Sequence, residues 1–344
     1  MPPKMKFGFV RPSTRIGEYL DWVTTAEKYS PDLMAFGDGQ ELWNELYVSL
    51  ALTAERTKKA LVGAMVTNPI TRDPTVTASA IATLQEHTGG RAFVGIGTGL
   101  SALRSSKLNA SPLSELEEYV RAVQDLTAGK SISFRGRPMR IQWSPPRVPV
   151  FIGARGPKGL ALAGRIADGV IVGGGVTSGD VIQKVLGQIR GGAQAAGRDM
   201  ESLSLWFNTR VVVAKSQAQG IDDMRDYLSG HAAHSYHAPA ILAEAPPAIQ
   251  EQIHVMERGY KWDEHLIGKV GPDGMTDNAR LLEKTGIKEW LAKRFVIIGT
   301  ADECVAGLKE LRDAGAINHI IPQVISNQKE STRLLGEHVF PKLR

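Results

Sequence analysis

The chain has 344 residues, 42% hydrophobic and 22% charged, with a formal net charge of +5. Its basic residues are scattered rather than gathered into a stripe with interleaved aromatics, which argues against a nucleic-acid partner and suits an anionic small ligand. One cysteine, Cys304, excludes an internal disulfide and points to a reducing cytoplasm with a packing role for the thiol, and no apolar run reaches the ~18–20 residues of a membrane span.

The opening Met-Pro-Pro-Lys-Met-Lys lacks the apolar core of a signal peptide. Met5 to Val10 then reads as a first strand. Ile16 to Tyr29 reads as a helix, with Ser13 or Thr14 as cap and Ile16, Leu20 and Val23 on its apolar side. Leu33 to Phe36 is the second strand. The flexible loop Gly37-Asp38-Gly39-Gln40 follows it, with Trp43 just beyond. Asp38 either meets a ligand or caps the next helix, Glu45 to Arg56.

Leu61 to Val66 is the third strand. Asn68-Pro69 ends it, because proline has no N–H for a ladder and disfavours helix in the residue before it. Asp73 then caps a helix with Pro74 at its first position, and Val76, Ala80, Ile81 and Leu84 share one face. Gly89-Gly90 stops that helix where a left-handed residue is wanted. Ala92 to Ile96 is the fourth strand and opens into Gly97-Thr98-Gly99. Residues 61–99 thus form a strand–helix–strand unit with a polar loop at the carboxyl end of each strand, where parallel α/β proteins carry their working groups.

Ser114 to Ala128 is helical, with Leu116, Tyr119, Val120 and Val123 as its apolar face. Ser131 to Ile141 reads as a hairpin and Trp143-Ser144-Pro145-Pro146 as a rigid connector. Val150 to Gly153 is the fifth strand, ending in Ala154-Arg155-Gly156-Pro157 at a helix start. Val170 to Val172 is the sixth, ending in Gly173-Gly174-Gly175, and Asp180 to Ala196 is the helix after it. Leu203 to Ala214 is a seventh strand, long and rich in β-branched residues. From 227 to 286 the pattern breaks into a polar, aromatic and histidine-bearing stretch with Pro246-Pro247, read as an irregular helical insertion or lid. His231, His234 and His237 recur every third residue there. No carboxylate or cysteine completes a ligand set, so no metal is expected. Order returns at Phe295 to Ile298. Thr300 and Glu303 form a capping box for a helix to Gly315, His319 to Val324 is the last strand, and a helix closes the chain.

Alternating strands and helices, with eight credible strands, imply an α/β fold with a parallel sheet. Glycine or polar loops after strands two to six favour a single (β/α)8 TIM barrel over 1–344. A doubly wound sheet would want one dominant fingerprint near its first strand.

The segment Val66 to Pro74, then Ala78 to Leu84, Gly89-Gly90-Arg91 and Gly95-Ile96-Gly97-Thr98-Gly99, resembles the bacterial-luciferase-like superfamily. Within it the likeness is to the coenzyme F420-dependent branch, especially methylenetetrahydromethanopterin reductase. It extends through Phe151 to Pro157, Ala167-Asp168-Gly169-Val170, Ile298-Gly299-Thr300 and Asp313-Ala314-Gly315, most of the chain outside the insertion. The resemblance implies a TIM barrel, commonly a dimer, that binds coenzyme F420 at the carboxyl ends of the strands and passes a hydride between it and a small organic substrate. Alternatives within the fold are an FMN-dependent monooxygenase and a non-catalytic flavin-binding relative.

By the same resemblance, the Met65-Val66 peptide is cis, in a bulge behind the cofactor's central ring. Thr67, Asn68, Gly97, Thr98 and Gly99 border that ring, and Asp38 and Trp43 line the substrate side. Ala154, Arg155 and Gly156 hold the cofactor phosphate, an anion suited to the free N–H groups of a helix start, and Gly174 joins the cofactor contacts. Three positions depart from the family's sugar-phosphate dehydrogenases. Gly39 stands for a histidine, Leu100 for a glutamate and Val176 for a phosphate-binding lysine, so a sugar phosphate is not the expected substrate.

Overall fold

The computed structural model describes residues 3–143, 145–173, 178–236, 242–321 and 328–344. Its strands are β1 (Lys6–Val10), β2 (Leu33–Phe36), β3 (Leu61–Thr67), β4 (Ala92–Ile96), β5 (Ile132–Phe134), β6 (Arg137–Met139), β7 (Val150–Ala154), β8 (Gly169–Val172), β9 (Ser204–Asn208), β10 (Arg210–Val213), β11 (Val296–Gly299) and β12 (Asn318–Ile320). Eight of them close a parallel barrel in the order β1-β12-β9-β8-β7-β4-β3-β2, which is the expected (β/α)8 architecture.

Local signals set the first half of this barrel. Asp73 accepts from Thr75 N at 2.9 Å to cap the helix Pro74–His87, and Gly89 and Gly90 beyond it take φ of 62° and 99°, a region open to glycine. The helix Leu113–Thr127 buries Leu116, Tyr119, Val120, Val123 and Leu126 against the barrel, each such burial stabilising by about 1.5–3 kcal/mol. At the far end Thr300 and Glu303 complete a capping box for the helix Ala301–Asp313. The barrel interior is filled by Val10, Leu33, Ala35, Phe93, Phe151, Ile171, Trp206 and Ile320.

Two sequence expectations need correction. The long seventh strand is two strands, because the chain breaks at Thr209, whose N–H is shared between Phe207 O at 3.0 Å and Ile320 O at 3.1 Å. Only β9 belongs to the barrel. The ordered segment after the insertion, β11, is not a barrel strand either; it pairs in parallel with β10 as a separate two-stranded sheet. Helices Arg225–His234, Pro247–Gly259, Asp277–Thr285 and Lys288–Phe295 lie between these two strands. With them they enclose a second apolar core containing Met224, Leu228, Tyr236, Ile253, Met256, Leu282, Leu291 and Phe295.

Candidate active site

The carboxyl end of the barrel opens into a cavity of about 380 Å³. Its wall on the β2–β4 side centres on Met65 and Val66, whose connecting peptide bond is cis and sits where the register of β3 against β4 shifts. The side chain of Val66 packs into a seat made by three glycines. A Cβ on Gly95 would lie 3.1 Å from Val66 Cγ1, one on Gly97 2.9 Å from Cγ2, and one on Gly153 2.9 Å from Cγ1. At Gly97 and Gly153 the separation is shorter than real carbon contacts show, and a Cβ on Gly95 would also meet Ala64 O at 2.5 Å, so glycine at these positions makes room for the bulge. The Gly97 N–H donates to Thr67 O at 2.9 Å. Gly99, at φ 85°, packs so closely on Asn68 that its Cβ would lie 2.7 Å from the Asn68 Cβ.

Asp38, 4% exposed, lines the same cavity. Its Oδ2 accepts from the Thr67 hydroxyl at 2.7 Å and is paired with the Arg72 guanidinium. Arg72 in turn donates to Glu45 at 3.0 Å and lies over the Tyr47 ring. Asp38 is therefore not the cap of the next helix; Glu45 is, accepting from Val48 N at 2.8 Å. Asn68, 1% exposed, spends its carbonyl on Ile70 N and Thr71 N, both at 3.0 Å. Asn68 lines the cavity, and its Nδ2 is buried with no partner among the described residues.

Trp43 lies flat against the loop that carries Asp38: a Cβ on Gly39 would meet its ring at 2.9 Å and one on Gly37 at 3.1 Å. Gly39 is thus the position that lets the indole cover the loop. Across the mouth the Trp43 ring faces His265 of the insertion, 6.4 Å between centroids. Leu266, Ile267 and Tyr227, also from that part of the chain, line the cavity.

Residues 5–317 match the luciferase-like monooxygenase family. The chain belongs to that family. It is 28% identical to 5,10-methylenetetrahydromethanopterin reductase of Archaeoglobus fulgidus, over 99% of this chain and 100% of that protein. It is 26% identical to F420-dependent glucose-6-phosphate dehydrogenase of Nakamurella multipartita, over 100% and 98%. Among solved structures, the coenzyme F420-dependent tetrahydromethanopterin reductase of Methanopyrus kandleri superposes with a TM-score of 0.80 at 21% identity, covering 99% of this chain and 100% of its own. An F420-dependent secondary alcohol dehydrogenase superposes with a TM-score of 0.76 at 17% identity, covering 99% of each chain. Both share the fold.

Not every residue expected from the luciferase-like pattern reaches this cavity. Asp38, Trp43, Met65, Val66, Asn68 and Gly99 line it, and Thr67 touches it through Asp38. Thr98 accepts from Ser111 N at 2.9 Å through its carbonyl. Ala154, Arg155 and Gly156 lie at the start of the helix Pro157–Ile166, away from the cavity lining. The Arg155 side chain crosses Gly173 and ends on the insertion, donating to Ser235 Oγ at 3.1 Å and His234 Nε2 at 3.0 Å. Gly174, Val176 and His237 lie outside the described residues.

Accepting from Arg155 fixes His234 as a neutral ring protonated at Nδ1. Burial, reinforced by the nearby Arg155 guanidinium, holds both His231 and His234 well below the usual imidazole range. His265, whose Nδ1 is 2.7 Å from the Tyr260 hydroxyl, is likewise pulled down to about 4. Among the described residues no group of three or more histidine, cysteine, aspartate or glutamate side chains could hold a metal ion.

Sequence reasoning missed Arg11, Asn208, Arg210 and Tyr227 in the cavity wall. The signal was present as an alternation. Trp206, Asn208 and Arg210 recur every second residue and share the inward side, while Phe207 and Val211 face the helices.

Proposed function

We propose that this chain is an oxidoreductase that transfers a hydride between coenzyme F420 and a small organic substrate. What supports the reading most is the glycine-seated bulge at Met65-Val66, which turns a stretch of backbone toward the cavity beside a buried and unpartnered Asn68 amide. A buried amide N–H without an acceptor costs free energy unless a ligand supplies one, so the wall fits a planar, acceptor-rich ring. Full-length relatives named as an F420-dependent dehydrogenase and a methylenetetrahydromethanopterin reductase agree with it.

Bound F420 supplies hydride chemistry at a deazaflavin carbon. The residues of this chain supply position. Met65 and Val66 give a rigid backing surface, Asn68 Nδ2 donates a hydrogen bond, and Thr67 and Arg72 hold the Asp38 carboxylate in one orientation with only its Oδ2 engaged. Trp43 and His265 narrow the mouth from opposite sides and exclude water from a substrate inside. The insertion, residues 227–286, acts as the lid. The same reading has the enzyme acting as a homodimer in the cytoplasm. Exposed Val48 and Val76 on two touching helices support the dimer, and the lone buried Cys304 supports a reducing compartment.

The test is a fluorescence titration of purified protein with F420 and, separately, with FMN. F420 should bind at least about tenfold more tightly and should then support turnover with reducible substrates. Preferential FMN binding would replace this reading with an FMN-dependent monooxygenase. Binding of neither would overturn it.

A further inference from the structure

We infer that Arg210 forms an anion-recognition subsite in the cavity, and that the substrate carries a carboxylate. The word substrate rests on the oxidoreductase reading above; the charge argument does not.

Arg210 is 5% exposed, yet it lines the cavity. Its Nε and Nη1 have no hydrogen-bond partner among the described residues, and its guanidinium lies over the Tyr227 ring at 4.1 Å. Burial draws it down to about 10, opposed by Tyr227, so it remains a cation at neutral pH. The other charges around the cavity do not answer it. Asp38 is paired with Arg72, and Glu18 with Arg15 at 3.0 Å. Arg11 adds to the excess: its Nη1 reaches only the Glu18 carbonyl at 3.4 Å, and its Nε is unpartnered among the described residues.

A buried cation without a counter-charge is expensive. A guanidinium with free N–H donors on both of its edges and no counter-charge matches a carboxylate. Asn208 also lines the cavity, but its unpartnered atom is the acceptor Oδ1, so the recognition of an anion falls to Arg210. The Tyr227 ring covers one face of the guanidinium, so an anion approaches in the plane of the N–H donors.

The experiment is calorimetric titration of the protein, with and without F420, using acetate, benzoate and succinate, each beside its neutral amide. At least one acid should bind while its amide does not. Arg210→Gln should weaken that acid at least about 30-fold. Arg210→Lys, which keeps the charge but loses the fork, should weaken it less, and its binding of F420 should match wild type. The subsite is refuted if acids and amides bind alike, if none of the three acids binds, or if Arg210→Lys and Arg210→Gln lower F420 affinity instead, which would assign Arg210 to the cofactor. If F420 fails to bind at all, the cofactor-free titration still reads the preference for acids, so the two readings fail separately.

Discussion

The two walls of the barrel mouth are built on opposite principles. On the β2–β4 side the charged groups are answered from within, Asp38 by Thr67 and Arg72 and Arg72 by Glu45, and the Asn68 carbonyl accepts from two backbone amides while its Nδ2 stays unpartnered among the described residues. The shape of that wall is set by glycines against which Val66 packs. On the β9–β10 side, Asn208 and Arg210 keep buried polar atoms with no partner among the described residues, and the histidines above them are neutral. A preorganised surface suits a ligand that every member of the chemistry shares. An unanswered one suits the ligand that differs from enzyme to enzyme.

Removing one partner of the buried pair should break the first wall most severely. Asp38→Ala leaves the Arg72 guanidinium beneath Tyr47 without its main counter-charge. Stability should fall by about 3 kcal/mol, toward the low end for a broken buried pair because Glu45 still accepts from Arg72. Urea denaturation reads this directly, and a loss below about 1 kcal/mol would mean the pair is solvated. Next in size is Gly97→Val, which places carbon atoms on Val66. Overpacking of this kind costs about 1–3 kcal/mol, and F420 affinity should drop with it, whereas a substitution at Gly187, where a Cβ meets nothing within 4 Å, should spare affinity.

The opposite wall is sharpened by pH. His265 titrates near 6.5 when unfolded and is lowered to about 4 in the fold. Between those values the unfolded chain binds the extra proton, so the stability this ring contributes is complete above pH 6.5 and is lost as pH falls toward 4. The slope is about 1.4 kcal/mol per pH unit for each such ring. Urea midpoints measured at several pH values should fall less steeply in His265→Gln than in wild type, and equal slopes would place the ring in water.

How much of this could be read from the chain follows the same division. The unit from Leu61 to Gly99 is legible because its signals are local: Asp73 and Pro74 start a helix, and Gly89 and Gly90 stop it. The family pattern, including the cis Met65-Val66 bond, lies in this contiguous stretch. Gly95, Gly97 and Gly153 are visible as glycines, but that all three seat one valine depends on the closure of β3, β4 and β7. The break at Thr209 is hidden for a similar reason, since its N–H is partly claimed by Ile320, which is distant in sequence. Without that break, 203–214 reads as one strand, and the alternation that turns Asn208 and Arg210 inward looks like ordinary packing. The insertion carries neither family motif nor clear period, and Arg155, the partner of His234, comes from a distant part of the chain.

The division of labour between the walls is tested most directly by a crystal structure of the protein with F420 bound. The account predicts the deazaflavin ring against Met65 and Val66, with a ring acceptor about 3 Å from Asn68 Nδ2 and the Arg210 fork left open to the remaining cavity. A ring seated on Asn208 and Arg210 instead, with Asn68 Nδ2 still unpartnered, would contradict it.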